Sequence, residues 1–380
     1  MIQRSMVNSI QRKMFGGKAI IVLGARQVGK TTLINDLVLD SRDDVLSLNG
    51  DDADVRSLLT DVNVDSLIRL IGDNKILFID EAQRIPDIGL VIKICVDRIK
   101  HVQVIATGSS SFELLQSIQE PLTGRAWQWN MYPLSFQELR DHSDLLTEKR
   151  RLNERLIFGT YPDIINNPNT QMELLKLLAG SYLYRDLERA PGVARPDLLE
   201  KITKALALQI GSEVSTTEIA RLVGADRLTI EKYIYLLEKA FIIFRLPALN
   251  RNIRNEIKKG RKFYFFDNGL RNAVINNFSP IHSRADVGAL WENYCMAERI
   301  KMHGARENHV LSYFWRTTQQ QEIDLIEEDS QANLSVFEFK WNPGKRGKFS
   351  KTFLNAYPPK EKRTITPDNY DEFLLPGMEG

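Results

Sequence analysis

The chain has 380 residues, of which 43% are hydrophobic and 26% charged, and its formal net charge is +2. This balance is typical of chains that fold around a buried core, and it excludes a collagen-like repeat, a disulfide-rich miniprotein and wholesale disorder. No apolar run is long enough to cross a bilayer, and the N-terminus lacks the pattern of a signal peptide. With Cys95 and Cys295 as its only cysteines, we expect a cytoplasmic protein of two or three domains that has no contact with a membrane.

The first third of the chain alternates apolar runs with helical stretches. A helix is predicted at residues 30–39, and strands are predicted at residues 19–23, 75–79, 102–107 and 127–132. Short apolar strands separated by room for a helix are typical of a parallel sheet with crossover helices. The sequence therefore predicts an α/β fold for residues 1–147, with helices flanking a parallel sheet.

The strand signal disappears in the middle of the chain. Helices are predicted at residues 173–187, 197–209, 215–224 and 229–239. The last two have suitable N-caps in Ser215 and Asp226 and are joined by a short turn containing Gly224, which indicates a helix-turn-helix. Because two β-rich runs follow at 241–246 and 262–266, we predict a helical and winged-helix region over residues 148–266.

The last part of the chain returns to a mixed pattern. A helix is predicted at 290–302, and strands are predicted at 310–316, 322–327 and 334–341. This order indicates a third, smaller α/β domain over residues 267–380. The segment after Pro343 is rich in Lys, Pro and Gly, and we expect it to form a loosely packed edge.

The clearest functional motif follows the first predicted strand. Residues 24–31 fit G-x-x-x-x-G-K-[ST] and precede a predicted helix, which is the context of a phosphate-binding loop. Backbone N–H groups of such a loop surround phosphate oxygens, while its lysine contacts the β- and γ-phosphates and its hydroxyl ligates Mg²⁺. Thr32 is expected to contact the α-phosphate. The predicted ATP-binding residues are Gly24, Ala25, Arg26, Gln27, Val28, Gly29, Lys30, Thr31 and Thr32.

Two carboxylates end the apolar strand predicted at 75–79. Ligands bind beyond the carboxyl ends of the strands in open α/β sheets, so both acids are expected at the phosphate-binding edge. Asp80 is predicted to hold Mg²⁺ through water, beside Thr31, and Glu81 to orient the attacking water as a general base. Acids at a strand end are often solvated caps, but the phosphate-binding loop upstream favours the catalytic interpretation.

Two further residues are candidates for the same site. Ser109, after the strand at 102–107, is either a polar sensor between the γ-phosphate and water or an N-cap of a helix at 112–118. Arg125 is either an arginine finger or a partner of a surface acid. A finger that acts in trans requires neighbouring copies, which makes a homo-oligomer a candidate state.

Eight segments of the chain together resemble a known family. They are GARQVGKTTL, LFIDEAQRIPD, VIATGSSSFEL, LTGRAWQWNMYPLSFQEL, FGTYPDII, YFFDNGL, WRTTQQQEIDLI and VFEFKW. In this order they are similar to the uncharacterised prokaryotic AAA-type ATPases that carry a C-terminal domain of unknown function. The resemblance covers nearly the whole chain. It implies an AAA+ P-loop NTPase core, a winged-helix region and a restriction-endonuclease-like C-terminal fold.

A second candidate site lies in the C-terminal region. Glu338 and Lys340 alternate with aromatic residues on one predicted strand and so share a face, Asp324 lies on another strand, and Glu292 lies on the predicted helix. Together they resemble the active-site pattern of restriction-endonuclease-like folds, in which carboxylates hold Mg²⁺ and the lysine positions water. The alternative is a buried ion-pair network without catalysis, in a non-catalytic relic of the fold or in a module that contacts nucleic acid.

One stretch between the two β-rich runs is strongly basic. It contains Arg245, Arg251, Arg254, Lys258, Lys259, Arg261 and Lys262, opposed in sequence only by Glu256. A basic loop beside a helix-turn-helix suits the backbone of DNA or another nucleic acid. A solvated loop on a domain-packing module is the alternative.

These patterns predict an ATP-binding, Mg²⁺-dependent AAA-type ATPase that drives a switch or remodelling step, with nucleic acid as a candidate target. The first alternative is an ATP-regulated, metal-dependent nuclease. The second is a signalling or partner-binding NTPase that does not use nucleic acid. DNA stimulation of ATP turnover, and cleavage that depends on the C-terminal acids, separate these classes.

Overall fold

A computed structural model describes residues 2–40, 42–109, 122–182, 195–249, 260–306, 308–317 and 319–375. The chain divides into two compact units. The first is built mainly from Met1–Leu134, and the second comprises Ser135–Glu188, Val193–Glu238 and Ile242–Gly380. Within the described residues, no helix is both long enough and apolar enough to span a membrane.

A parallel sheet forms the centre of the first unit. Its strands are β1 (Ala19–Gly24), β2 (Val45–Asn49), β3 (Ile76–Asp80), β4 (Gln103–Gly108) and β5 (Ala126–Met131). They pair in the order β2–β3–β4–β1–β5, with every pairing parallel. The predicted α/β class is confirmed. The edge strand β2 was missed because it is half exposed and carries polar residues, so it lacks the apolar run of the buried strands.

One helix precedes these strands, and others lie between them in the chain. They are α1 (Val7–Lys13), α2 (Lys30–Thr32), α3 (Ala53–Leu58), α4 (Val64–Ile71) and α5 (Ile88–Arg98). The helix predicted at 30–39 is a single α-turn that continues as a π-helix over Leu33–Val38. A helix is therefore present, but most of it is not the regular α-helix that was predicted.

The second unit begins with short helices. They are α6 (Phe136–His142), α7 (Leu145–Arg150), α8 (Leu152–Phe158), α9 (Pro162–Asn166), α10 (Gln171–Leu177), a π-helical continuation at Leu178–Tyr182, and α11 (Pro196–Leu208). The end of the helix predicted at 173–187 lies outside the described residues, as does the helix predicted at 112–118.

The predicted helix-turn-helix elements are present. They are α12 (Thr216–Val223) and α13 (Arg227–Lys239), with the strands β6 (Glu213–Val214), β7 (Ile243–Pro247) and β8 (Arg261–Phe265). Ser215 and Asp226 accept backbone N–H groups at the two helix starts, and Gly224 ends α12 in the left-handed conformation. The strands pair antiparallel in the order β6–β8–β7. The assignment as a winged helix stays a prediction.

The C-terminal part forms a four-stranded sheet. Its elements are α14 (Asn268–Val274), a 3₁₀ turn at Ile281–Ser283, α15 (Val287–Ala305), β9 (Leu311–Arg316), β10 (Glu322–Glu328), β11 (Leu334–Phe339), α16 (Lys351–Ala356), β12 (Glu361–Ile365) and α17 (Tyr370–Leu374). The sheet order is β12–β11–β10–β9, and β12 runs parallel to β11.

The expectation of a loosely packed segment after Pro343 was wrong. Phe353, Tyr370 and Phe373 in this segment are each 0% exposed. Aromatic side chains bury large apolar surfaces, so a few of them fix a segment whose overall composition is polar. The segment therefore contributes directly to the core of the second unit.

The predicted boundary near residue 266 is crossed by side-chain hydrogen bonds. Asn293 on α15 accepts from the backbone N–H of Phe265 at 2.7 Å and donates to its carbonyl at 3.0 Å. Asp267 accepts the backbone N–H of Thr160 at 2.7 Å. The helical region and the C-terminal sheet thus belong to one compact unit. The division into domains at 1–147, 148–266 and 267–380 stays a prediction.

Candidate functional site

Glycines shape the loop between β1 and α2. A Cβ added to Gly24 would lie 2.2 Å from the carbonyl oxygen of Met131, so the close pairing of β1 with β5 requires glycine there. Gly29 has φ of +92° directly before α2, in the left-handed region that favours glycine. These two positions turn the chain from the strand into the helix with its backbone close to the sheet edge.

The lysine of this loop is buried and points back at the loop itself. Lys30 is 5% exposed, and its Nζ donates to the carbonyl oxygens of Gly24 and Ala25 at 2.9 Å each. Thr31 and Thr32 follow on the exposed start of the helix. The loop residues 25–28 lie between Gly24 and the helix start. The predicted phosphate-binding residues therefore form one continuous loop around the lysine.

A carboxylate from the neighbouring strand end joins the loop. Asp80 ends β3, and its Oδ2 accepts the Thr31 hydroxyl at 2.7 Å. Its Oδ1 accepts the hydroxyl of Thr107 on β4. Carboxylate and hydroxyl oxygens are the ligands that Mg²⁺ prefers, usually together with substrate phosphates. The donor set of Thr31 and Asp80 fits that ion.

Glu81 is held in place by two polar side chains. Its Oε2 accepts the Ser109 hydroxyl at 3.1 Å and the side-chain amide of Gln83 at 2.5 Å, and that amide also donates to Ser109 at 2.9 Å. Glu81 itself has φ of +49°, and a Cβ on Gly50 would lie 2.3 Å from its carbonyl oxygen. The structure thus brings Glu81 and Ser109 together, while their roles as water-orienting base and polar sensor stay predictions.

Gln83 is the member of this group that the sequence analysis missed. It lies two residues after Glu81 in a segment that served only to recognise the family. The signal available in the sequence was a polar residue two positions after the acidic end of the predicted strand.

Arg125 lies at the end of the sheet where the strands begin, opposite to the phosphate-binding loop. It directly precedes β5, and its carbonyl oxygen accepts the N–H of Ala19 at the start of β1, whereas the phosphate-binding loop follows the end of β1. Its Nε donates to Asp97 at 2.8 Å and holds the pKa of that carboxyl below its usual range. Within one chain, Arg125 is therefore the partner of a surface acid, which is the second of its two predicted roles. A finger acting in trans stays a prediction.

The predicted C-terminal carboxylates also converge. Lys340 donates to Glu338 at 2.8 Å and lies 3.5 Å from Asp324, so the predicted shared face is confirmed. Asp324 also accepts the backbone N–H of Phe339 at 2.9 Å. The pairing of β10 with β9 shifts register between Ile323 and Ile326, so β10 has one extra residue in the stretch that contains Asp324.

Three further residues belong to this set, although the sequence analysis did not assign them to it. Lys262 on β8 donates to Glu292 at 3.2 Å and to Glu322 at 2.5 Å, and Tyr264 donates to Glu292 at 2.7 Å. Burial raises the pKa of Glu292 to about 7, although Lys262 acts in the opposite direction. We call the seven residues the carboxylate cluster: Lys262, Tyr264, Glu292, Glu322, Asp324, Glu338 and Lys340.

The carboxylate cluster does not fit a metal as it stands. Among the residues that the structure describes, no group of three or more acidic, histidine or cysteine side chains is arranged to hold a metal ion. Lys262 is 1% exposed and places its ammonium between two of the acids. Burial also raises the pKa of Glu338 to about 7, and the neighbouring Asp324 carboxylate adds to this effect.

The predicted basic patch is largely neutralised where the structure describes it. Arg245 pairs with Glu238 at 2.9 Å, and Arg261 pairs with Glu231 at 2.7 Å. Lys262 is buried in the carboxylate cluster. These acids lie on α13 and in the C-terminal region, so the sequence alone did not associate them with the patch. Its other members, Arg251, Arg254, Lys258 and Lys259, lie outside the described residues.

Comparisons with known families agree with the fold of the first unit. Residues 16–140 match an AAA domain, residues 149–280 a domain of unknown function (DUF8612), and residues 287–374 another (DUF4143). The predicted resemblance to uncharacterised prokaryotic AAA-type ATPases is confirmed by these matches. Residues 16–140 are thus similar to an AAA domain, and the two regions that follow are similar to domains without an assigned role.

Relatives occur in bacteria and archaea. An uncharacterized protein of Mycobacterium tuberculosis is 26% identical over 331 residues, covering 86% of this chain and 71% of that protein. One from Methanocaldococcus jannaschii is 25% identical over 339 residues, covering 83% and 74%.

Solved structures are more distant from the chain. A Drosophila ORC bound to AT-rich DNA and Cdc6 gives a TM-score of 0.25 at 12% identity, with 72% of this chain and 90% of that one covered. The Pif1 helicase from Candida albicans gives 0.26 at 13%, with 68% of this chain and 61% of that one covered.

Proposed function

We propose that the chain binds ATP at the loop of residues 24–32 and hydrolyses it with Mg²⁺, and that this reaction drives a switch or remodelling step. The observation that carries the proposal is the hydrogen bond of 2.7 Å between Thr31 and Asp80. It joins the end of the phosphate-binding loop to the acidic end of β3. These are the two parts that phosphoryl-transfer sites of this type combine.

Each side chain has a role that follows from its place. Lys30 exchanges its two carbonyl contacts for the β- and γ-phosphate oxygens, because those oxygens are stronger acceptors than the neutral carbonyl oxygens. Thr31 and Asp80 would hold Mg²⁺, which supplies positive charge to the phosphate oxygens when bound. Glu81 orients the attacking water and accepts its proton, while Ser109 keeps the Glu81 carboxylate in position.

The test separates nucleotide binding from hydrolysis. Lys30→Ala should lose ATP binding, since it removes the phosphate-contacting ammonium, whereas Glu81→Gln should bind ATP and lose turnover by roughly 100-fold or more. Binding is measured by titration with a fluorescent ATP analogue, and turnover by phosphate release. Native turnover in Glu81→Gln would contradict the role given to Glu81.

The finer proposal concerns nucleic acid. The helix-turn-helix over α12 and α13, with the adjacent β6–β8–β7 sheet, has the element order of a winged helix, and basic residues lie between β7 and β8 in the sequence. We therefore expect double-stranded DNA to raise ATP turnover, and the effect to weaken between low and moderate salt. Turnover that is the same with and without single- or double-stranded DNA would instead support the signalling or partner-binding class.

An ATP-regulated nuclease is the second proposal. The contacts of Lys340 with Asp324 and Glu338 favour it, while the position of Lys262 opposes it. The assay is plasmid cleavage with Mg²⁺ or Mn²⁺, with and without ATP. Cleavage that Asp324→Ala abolishes would support the nuclease, and intact plasmid under every condition would exclude it.

A further inference from the structure

Lys262 is an unusual partner for the carboxylate cluster. It comes from β8, beside the helix-turn-helix, yet its side chain is only 1% exposed and contacts acids from α15 and β10. Burial lowers the pKa of a lysine, but here the carboxylates of Glu292 and Glu322 outweigh this effect and raise the pKa of Lys262 above its usual value. The ammonium therefore stays charged inside the cluster.

The charges of the cluster explain why a cation is needed there. Glu292, Glu322, Asp324 and Glu338 are its acids, and Lys262 and Lys340 are its two bases. Uncompensated buried carboxylates are strongly destabilising, so such a set must bind cations or take up protons. Lys340 forms ion pairs with Asp324 and Glu338. Lys262 forms ion pairs with Glu292 and Glu322.

We propose that the Lys262 ammonium occupies the cation position of this cluster, so that the chain binds no divalent metal there while Lys262 remains in place. The lysine acts as an internal cation supplied by the element next to the helix-turn-helix. This inference goes beyond ATP hydrolysis and does not depend on it. It also sets a condition for the nuclease proposal: a metal ion can bind in the carboxylate cluster only when the Lys262 side chain moves out of it.

The experiment measures Mn²⁺ binding to the nucleotide-free full chain at pH 8, from the loss of the electron paramagnetic resonance signal of free Mn²⁺. Lys262→Met should bind one Mn²⁺ per chain more than the wild type, at a site that the wild type lacks. Adding Asp324→Asn to Lys262→Met should remove this site. Adding Asp80→Asn instead should leave it, because Asp80 belongs to the nucleotide site in the other unit.

The matched control is Lys301→Met. Lys301 is also buried, at 4% exposed, but it bonds the carboxylate of Glu298 and the hydroxyl of Thr160 outside the cluster. Its removal should create no Mn²⁺ site. Lys262→Arg, which keeps the positive charge, should create none either. A gain of binding in either variant would show that the effect is not specific to the charge at position 262.

A second variant covers the case in which Lys262→Met does not fold. Lys262→Met combined with Glu322→Gln removes one acid together with the base and leaves three acids in the cluster. Mn²⁺ should raise the melting temperature of this variant by several degrees without changing that of the wild type. The proposal is overturned if a folded variant gains no Mn²⁺, or if the wild type binds Mn²⁺ at a site that depends on Asp324. Absence of plasmid cleavage alongside a gained Mn²⁺ site would exclude the nuclease and leave this inference intact.

Discussion

Gln83 fixes the position of Glu81 through one amide group. This amide donates to both Glu81 and Ser109, so the three side chains form a closed set of hydrogen bonds. We predict that Gln83→Leu, which keeps the bulk and removes the amide, lowers ATP turnover roughly tenfold, as for other residues that orient a functional side chain. ATP affinity should stay within about twofold, because Gln83 lies after the acidic strand end rather than in the phosphate-binding loop. Steady-state phosphate release and ATP titration separate these two quantities.

Gln83→Glu provides the control for this prediction. It keeps the length of the side chain but places a carboxylate beside Glu81, so its turnover should fall further than that of Gln83→Leu. A Gln83→Leu protein with native turnover would mean that Ser109 alone positions Glu81.

The sequence indicated which side chains lie together where their partners are near in sequence or follow from strand order. Lys30 and Thr31 belong to a local motif, and Asp80 reaches Thr31 because β3 ends at the same sheet edge. Lys262 could not be placed, since its acids lie 30 and 60 positions further along the chain. A local charge pattern shows which charged residues are close in sequence, but it does not show which distant residues they contact.

At the scale of elements, burial decided which strands were predictable. Residues of β1, β3 and β4 are buried throughout, so each appears as an uninterrupted apolar run. Strands β2 and β12 contain polar or charged residues and are at most partly buried along most of their length. Their pairing with a neighbouring strand, rather than their own composition, makes them strands.

The close pairing of β1 and β5 gives an element-scale prediction. Gly24→Ala places a methyl group 2.2 Å from the Met131 carbonyl oxygen, which is backbone and cannot move aside without disturbing β5. We expect the free energy of unfolding of the first unit to fall by about 1–3 kcal/mol and ATP binding to weaken. Urea denaturation and ATP titration are the measurements.

Gly288→Ala is the comparison for Gly24→Ala. Gly288 lies in α15, where an added Cβ meets no heavy atom within 4 Å, so alanine should leave the stability unchanged or raise it by up to about 1 kcal/mol. Equal effects at the two positions would contradict the steric argument at the start of the phosphate-binding loop.

For the molecule as a whole, the near-zero net charge concealed how its charges are distributed. The basic residues that suggested a nucleic-acid surface include Arg245, Arg261 and Lys262, each of which pairs with an acid in the second unit. These three residues therefore offer nucleic acid less uncompensated positive charge than the sequence pattern indicates. Sequence located the charges, but their pairing depends on how distant elements pack.

The buried acids of the second unit make its stability depend on pH. Burial raises the pKa of Glu338 from its ordinary value near 4.5 to about 7. Between these two values the folded state binds more protons than the unfolded state, so stability is greatest below pH 4.5 for this group and falls as the pH rises through 7. We predict that Glu338 alone makes the second unit about 1–3 kcal/mol less stable at pH 8 than at pH 4.5.

Comparison with Glu338→Gln isolates this contribution, because glutamine does not titrate while all other groups remain. Urea denaturation of both proteins at several values between pH 4.5 and 8 should show the wild type losing stability more steeply than Glu338→Gln. Glu372→Gln, which alters a carboxylate with 72% of its side chain exposed, should keep the wild-type slope. Parallel stability curves for wild type and Glu338→Gln would mean that Glu338 stays ionised throughout this range, neutralised by Lys340.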